Sequence, residues 1–256
     1  MRRRFFVEDF SDANAVLRGE AADHLGRVLR AEPGQLYELS DGRRVWLAKI
    51  ERVALSKGGQ SQIDFALVEP VQASEPALRV NLLISLVKFD RFEWCLEKAT
   101  ELGANEIVPL AAARTDKPLI AAAAKRHERW ARILHESAQQ SRRLRPPVLH
   151  EIGTPEQAFR KYPRGLKILL SERQTAPPLR QVLLAAGLPA EDGQEVSAAL
   201  AIGPEGGWTD EEVSAATASG FVEASLGKNI LRTETAVLAS LSIMVFALEP
   251  GDAVAE

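Results

Sequence analysis

The 256-residue chain contains a single cysteine, Cys95, which excludes an intramolecular disulfide. Its four histidines are scattered without ligand spacing, so no structural zinc site and no metal are expected. This cysteine usage fits a reducing, cytoplasmic setting. No run of about eighteen apolar residues occurs, so no membrane span is expected. The basic start Arg2-Arg3-Arg4 leads into Glu8, Asp9 and Asp12 instead of the apolar core of a signal peptide. Basic residues nearly vanish towards the end of the chain. From Glu191 to Glu256, twelve Asp and Glu face only Lys228 and Arg232, a net of −10. Two cations kept in so acidic a segment, both in one loop, are candidates for a functional role. The remaining composition, 46% hydrophobic and 26% charged, is that of a globular protein long enough for two domains or one large α/β domain.

The overall charge of −3 argues against a simple polycation for nucleic acid, but it hides an uneven distribution. Arg114 to Arg145 carries nine basic residues against Asp116, Glu128 and Glu136, a net of +6. Such a patch suits phosphate contacts. A solvated helix face followed by a basic loop would have the same composition, and composition does not choose between the two.

Residues 1 to about 72 read as β-rich. Leu36-Tyr37-Glu38-Leu39 and Val45 to Ile50 flank Asp41-Gly42, a hairpin signal, and a further break at Lys57-Gly58-Gly59 leads to Ile63–Val68. Short strands at this spacing suggest a small barrel, closed by a proline-bearing linker from Glu69 to Pro76. From 73 to 256 the rhythm becomes strand and helix in alternation. Strands are expected at Leu78–Val87, Glu106–Leu110, Gly165–Ser171, Ala198–Ile202 and Phe221–Leu226. Helices are expected at Asp90–Leu102 (with Asp90 and Glu93 as a capping box), about Leu119–Ser141, Leu179–Ala186, Thr209–Gly220 and about Thr235–Leu248. This alternation predicts an α/β domain whose mostly parallel sheet is covered on both faces. The closing helix is apolar nearly all round and should be buried, within the domain or against a partner.

Two glycine-bearing turns stand out. Gly203-Pro204-Glu205-Gly206-Gly207 and Leu226 to Ala236 each follow a strand and precede a helix, where backbone can approach a small molecule. The first lacks the Gly-Lys-Ser/Thr of a phosphate loop and the spacing of a dinucleotide fingerprint. A plain βα turn remains open for it, as does a loop salt bridge between Arg232 and Glu234 for the second.

Taken together, these segments resemble the bacterial 16S ribosomal RNA (uracil-N3) methyltransferases of the SPOUT superfamily. The resemblance rests on Arg4-Phe5-Phe6 with His24 to Arg30, Lys88-Phe89-Asp90-Arg91, Lys98 to Gly103, Glu106 to Leu110, Arg114, Glu136, Gln140-Ser141, Arg143 and Pro147. Its most specific parts are Ile202 to Gly207 and Leu226-Gly227 through Ala236. It implies a PUA-like β-barrel over 1–72 and a trefoil-knotted methyltransferase domain over 73–256 that pairs as a homodimer. It implies S-adenosylmethionine held by Leu170, Ile202, Gly203, Pro204, Glu205, Gly206, Leu226, Gly227, Ile230, Leu231 and Arg232. The implied partner is 16S rRNA of the small ribosomal subunit, with phosphates met by Arg3, Arg4, Arg27, Arg30 and Arg143. Uridine N3 is a poor nucleophile while protonated, so Arg232 is expected to stabilise the uracil anion, with Glu205 or Glu234 orienting that arginine or relaying the proton. Trp208 stands where other small or apolar residues would serve and should not disturb backbone contacts. A different nucleoside target and a non-catalytic RNA-binding assembly protein are the two rival readings.

Overall fold

The computed structural model describes residues 3–11, 13–56, 60–73, 75–162, 164–187 and 196–248. The chain divides into two compact units, residues 1–75 with 138–146, and residues 76–137 with 147–256. The expected break at Lys57-Gly58-Gly59 lies outside the described residues.

The first unit is built on a six-stranded sheet. Its strands are β1 (Arg4–Phe6), β2 (Phe10–Ser11), β3 (Asn14–Arg18), β4 (Leu36–Ser40), β5 (Val45–Ala54) and β6 (Gln62–Val71), in the order β1-β4-β5-β6-β3-β2. The Asp41-Gly42 hairpin joins β4 and β5 in antiparallel register, with Gly42 at φ +82°. Short helix α1 (Gly19–Asp23) runs into a π-helical turn at His24–Val28. Phe5, Leu17, Leu25, Leu39, Ile50, Ile63 and Phe65 fill the core.

The second unit holds a parallel sheet in the order β12-β10-β11-β7-β8-β9, made of β7 (Leu78–Ser85), β8 (Ala104–Leu110), β9 (Val148–Leu149), β10 (Leu166–Leu170), β11 (Val196–Ile202) and β12 (Val222–Ala224). Side-chain alternation along these strands builds two cores. Val80, Leu82 and Ile84 of β7, with Leu200 and Ile202 of β11, face one core. Leu83, Ala199 and Ala201 face the other. Helices α2 (Phe89–Glu101), α4 (His127–Gln140), α6 (Leu179–Ala186) and α8 (Thr233–Leu248) supply the first core, while α5 (Pro155–Lys161) and α7 (Asp210–Ala218) supply the second. Helix α3 (Lys117–Ala123) precedes α4 through a 3-10 turn, so the single helix expected from Leu119 is broken.

Two local expectations are corrected. Asp90 and Glu93 do not cap α2: the helix starts at Phe89 with Lys88 as N-cap, whose ammonium has no acceptor to offer, and Glu93 accepts instead from Arg126 and Arg129. Helix α8 begins at Thr233, so Glu234 sits in a helical first turn and not in an extended loop beside Arg232. The box at Thr209 and Glu212 is present: Thr209 Oγ1 accepts from the Glu212 N–H and a Glu212 carboxylate oxygen accepts from the Thr209 N–H.

Candidate active site

Parallel pairing brings three strand ends level. Leu170 of β10 pairs with Ile202 of β11 on one side and with Ala224 of β12 on the other. The loops that leave these strands therefore open at one height, as at the carboxyl edge of other open α/β sheets. Between them lies a cleft of about 420 Å³, within the range of small-molecule sites. Leu170, Ile202, Gly203, Pro204, Glu205, Leu226, Gly227, Ile230, Leu231 and Arg232, all picked out from sequence, line it. Gly206 and Glu234 do not line the cleft, and neither does Lys228, the other cation of the acidic segment.

Backbone shapes the walls. The Gly207 N–H closes the first turn onto the Pro204 carbonyl at 2.8 Å. A Cβ on Gly203 would come within 3.1 Å of the Trp208 ring, so a side chain there would crowd the indole. Trp208 itself is buried and donates from Nε1 to the Leu170 carbonyl at 2.9 Å, tying the first loop to the end of β10. Its part as a pillar beneath the loop went unseen in the sequence, where it read as a mild variation. Gly227, at φ +129°, has nothing within 4 Å of its Cβ position and leaves the second loop open to a ligand.

Charge is arranged around Arg91, which sequence reasoning did not place in the site. Its guanidinium bonds Glu205, and its Nε lies 3.8 Å from Glu234. One arginine from the first turn of α2 thus links the Gly203–Gly207 turn to the start of α8. Oε2 of Glu234 is buried without a hydrogen-bond partner. Burial pushes the Cys95 thiol up to about 12, aided by the nearby Glu234 charge, so the thiol stays protonated and is no nucleophile. Arg173, a further lining residue, is held by Asp210 and approaches Glu223 at 3.9 Å. Arg232 is exposed at the rim, and among the described residues no carboxylate pairs with it. The alternative of a salt bridge between Arg232 and Glu234 is therefore not realised. Arg114 also lines the cleft, donating from Nη1 to the Gly206 carbonyl at 2.8 Å. Arg91 and Arg114 each follow a strand of the same sheet, β7 and β8, by a few residues. That position was the available signal.

The arginines expected to meet RNA lie in the other unit. Arg4 is a correction: it is 5% exposed, and its Nε and Nη2 donate to one oxygen of Glu38 at 3.1 and 2.8 Å, so its charge is spent inside the protein. Arg27 is exposed but bonds Asp23 and the Ser56 carbonyl, each at 2.7 Å. Arg3 is partly exposed and lies 3.2 Å from His24 Nε2. Arg30 is exposed, at φ +52°. Burial pulls Arg143 down to about 10. Within the basic stretch 114–145, Arg126 and Arg129 pair with Glu93, Arg142 with Glu38 and Arg145 with Glu75, so much of its charge is internally matched.

A family model for the RNA methyltransferase domain matches residues 74–245. The chain belongs to the RNA methyltransferase family. Among relatives, ribosomal RNA small subunit methyltransferase E of Synechocystis is 38% identical over 94% of this chain and 76% of its own length. The Bacillus subtilis protein of the same name is 30% identical over 91% and 90%. Two solved methyltransferase structures resemble the whole chain. Ribosomal RNA small subunit methyltransferase E from Neisseria gonorrhoeae, bound to S-adenosyl methionine, has a TM-score of 0.81 at 28% identity, covering 97% of this chain and 98% of that one. A putative methyltransferase from Legionella pneumophila, in complex with the same cofactor, has a TM-score of 0.76 at 29% identity, covering 98% and 99%. The expected fold class, a β unit followed by a parallel-sheet methyltransferase unit, is the one observed.

Proposed function

We propose that this chain transfers the methyl group of S-adenosylmethionine to N3 of a uridine in 16S rRNA of the small ribosomal subunit. The observation that carries the reading is the cleft at three level strand ends, with bare glycine backbone on its walls and an unmatched guanidinium, Arg232, at its rim. Its residues fit the cofactor. Leu170, Ile202, Leu226, Ile230 and Leu231 offer apolar faces to an adenine, and the Gly227 backbone leaves room for close approach. When bound, the cofactor supplies an electrophilic methyl on a sulfonium. The names of the relatives and the ligand in the two solved structures support both donor and substrate class.

The chain's own part is electrostatic. Two flanking carbonyls make the uracil imide acidic enough to lose its N3 proton only if the resulting anion is stabilised. Arg232, at the rim and paired with no carboxylate among the described residues, supplies that stabilisation. Glu205 is the one of the two candidate carboxylates that lines the cleft, and it accepts the proton while Arg91 holds it in place. The target base is turned out of its stack to reach the cleft. Arg3, Arg27, Arg30 and Arg143 contact phosphates without reading bases. A homodimer is supported by the apolar residues left on the second unit's surface, Trp94 on α2 and Ile243 and Phe246 on α8, the last 91% exposed. We place the activity in the cytoplasm.

The test is Arg232→Ala with 16S rRNA as substrate. Methylation should fall by roughly 10²- to 10³-fold, as for loss of one preorganised donor. Cofactor affinity by calorimetry should change little. Nucleoside mass spectrometry should show 3-methyluridine as the product; a different methylated nucleoside, or full activity in the variant, refutes the assignment.

A further inference from the structure

We propose that Arg114 anchors a backbone phosphate of the RNA strand that carries the target nucleotide. The proposal rests on the methyltransferase reading above and adds a positioning residue to it. Four arginines line the cleft, and they are not equivalent. Arg91 is committed to Glu205 and Glu234, and Arg173 to Asp210. Arg232 and Arg114 meet no carboxylate among the described residues, and Arg232 is assigned to the base.

Arg114 is held in place from several sides. The preceding residue is fixed by the Ala113 N–H, which donates to a carboxylate oxygen of the buried Glu212 at 2.8 Å. The following residue, Thr115, is buried, and its N–H bonds the Ala112 carbonyl at 3.0 Å. The guanidinium then bonds the Gly206 carbonyl, and a Cβ on Gly206 would come within 3.3 Å of the Arg114 Cβ, so glycine at 206 clears the arginine's seat. A guanidinium has five N–H donors, and this one uses a single nitrogen on the protein. What remains is an exposed cation with a fixed stem, a geometry suited to a phosphate held by paired donors. Its exposure favours an anion arriving from solvent on a macromolecule over one enclosed with the cofactor.

The test compares Arg114→Gln and Arg114→Lys with wild type in binding to transcribed 16S rRNA over a salt series, beside calorimetry with S-adenosylmethionine. Glutamine can still donate to the Gly206 carbonyl but carries no charge. It should weaken RNA binding about tenfold and flatten the plot of log affinity against log salt by about 0.9, the slope carried by one phosphate contact. Lysine should keep the wild-type slope. Cofactor affinity should stay within twofold in both variants, and kcat at saturating RNA should change less than KM. Unchanged RNA affinity and slope in the glutamine variant overturn the proposal. A parallel loss of cofactor affinity also overturns it, by assigning the charge to the cofactor's carboxylate. Failure of the wild type to bind cofactor or methylate RNA would instead strike the methyltransferase reading, and the RNA-binding comparison would still decide Arg114.

Discussion

In the first unit Arg4 and Arg142 both close on one carboxylate, Glu38, which is 4% exposed. At the cleft of the second unit, Arg114 and Arg232 pair with no carboxylate among the described residues, although Glu205 lines the same cleft and Glu234 stands two residues from Arg232. The residue types are the same, and the difference lies in who claims the acids. At Glu38 two cations share a buried acid, and the cluster serves the fold. At the cleft Arg91 takes Glu205 and Glu234, Arg173 takes Asp210, and Arg114 and Arg232 keep their charge for a ligand. A cation is therefore informative about function only once its counter-ions have been located.

The comparison can be broken most forcefully at Glu38. Replacing it with Ala leaves two guanidinium groups together without their acid, and the stability of the protein should fall by about 3–5 kcal/mol. Denaturant unfolding measures this, and a change below about 1 kcal/mol would mean that the cluster is solvated and contributes no more than a surface pair. Arg91→Ala tests the other side. It frees Glu205 and Glu234 to seek Arg232, and methylation should drop roughly tenfold, the equivalent of about 1.4 kcal/mol. Adding Glu205→Gln to that variant should restore none of the proton transfer. Unchanged activity in Arg91→Ala would show that the link between the turn and α8 does not matter.

The mildest test is pH. Burial disfavours the charged form of Glu38, but hydrogen bonds from Arg142 and Arg4 outweigh it and hold the carboxyl below its ordinary 4.5. A carboxyl with a lowered folded pKa contributes stability that is full above the unfolded value and is lost as pH falls through the folded one. Stability should therefore decline below about pH 4.5, and Glu38→Gln should flatten that acid limb. An acid limb of equal steepness in Glu38→Gln would assign the effect to other carboxylates.

Much of this arrangement was legible before any coordinates. Apolar runs located β7, β8, β10, β11 and β12, and helical spacing located α2, α6, α7 and α8, since burial leaves its mark within a few residues; the short β9 and α5 left too little pattern to be read, and α3 and α4 were read as one helix. The cleft was legible for a related reason: both glycine turns are local features at strand ends. Arg91 and Arg114 were not, because their importance depends on β7 lying between β11 and β8 in the sheet, and the β7–β11 pairing joins segments about a hundred residues apart in the chain. Arg4 misled for the same reason. Its basic neighbours suggested an RNA contact, and only the fold brings Glu38 and Arg142 to it.

The last turn of α4 carries a wider consequence. Arg142 stands at φ +57°, where the chain leaves that helix, and the Arg143 N–H closes the turn onto the Ala138 carbonyl at 2.9 Å. Because 138–146 folds with residues 1–75, the N-terminal unit borrows a stretch of polypeptide from deep within the sequence of its neighbour. The first 75 residues are thus not a self-sufficient cassette, and an engineer who transplants only them will leave behind half of the cation pair that neutralises its buried acid.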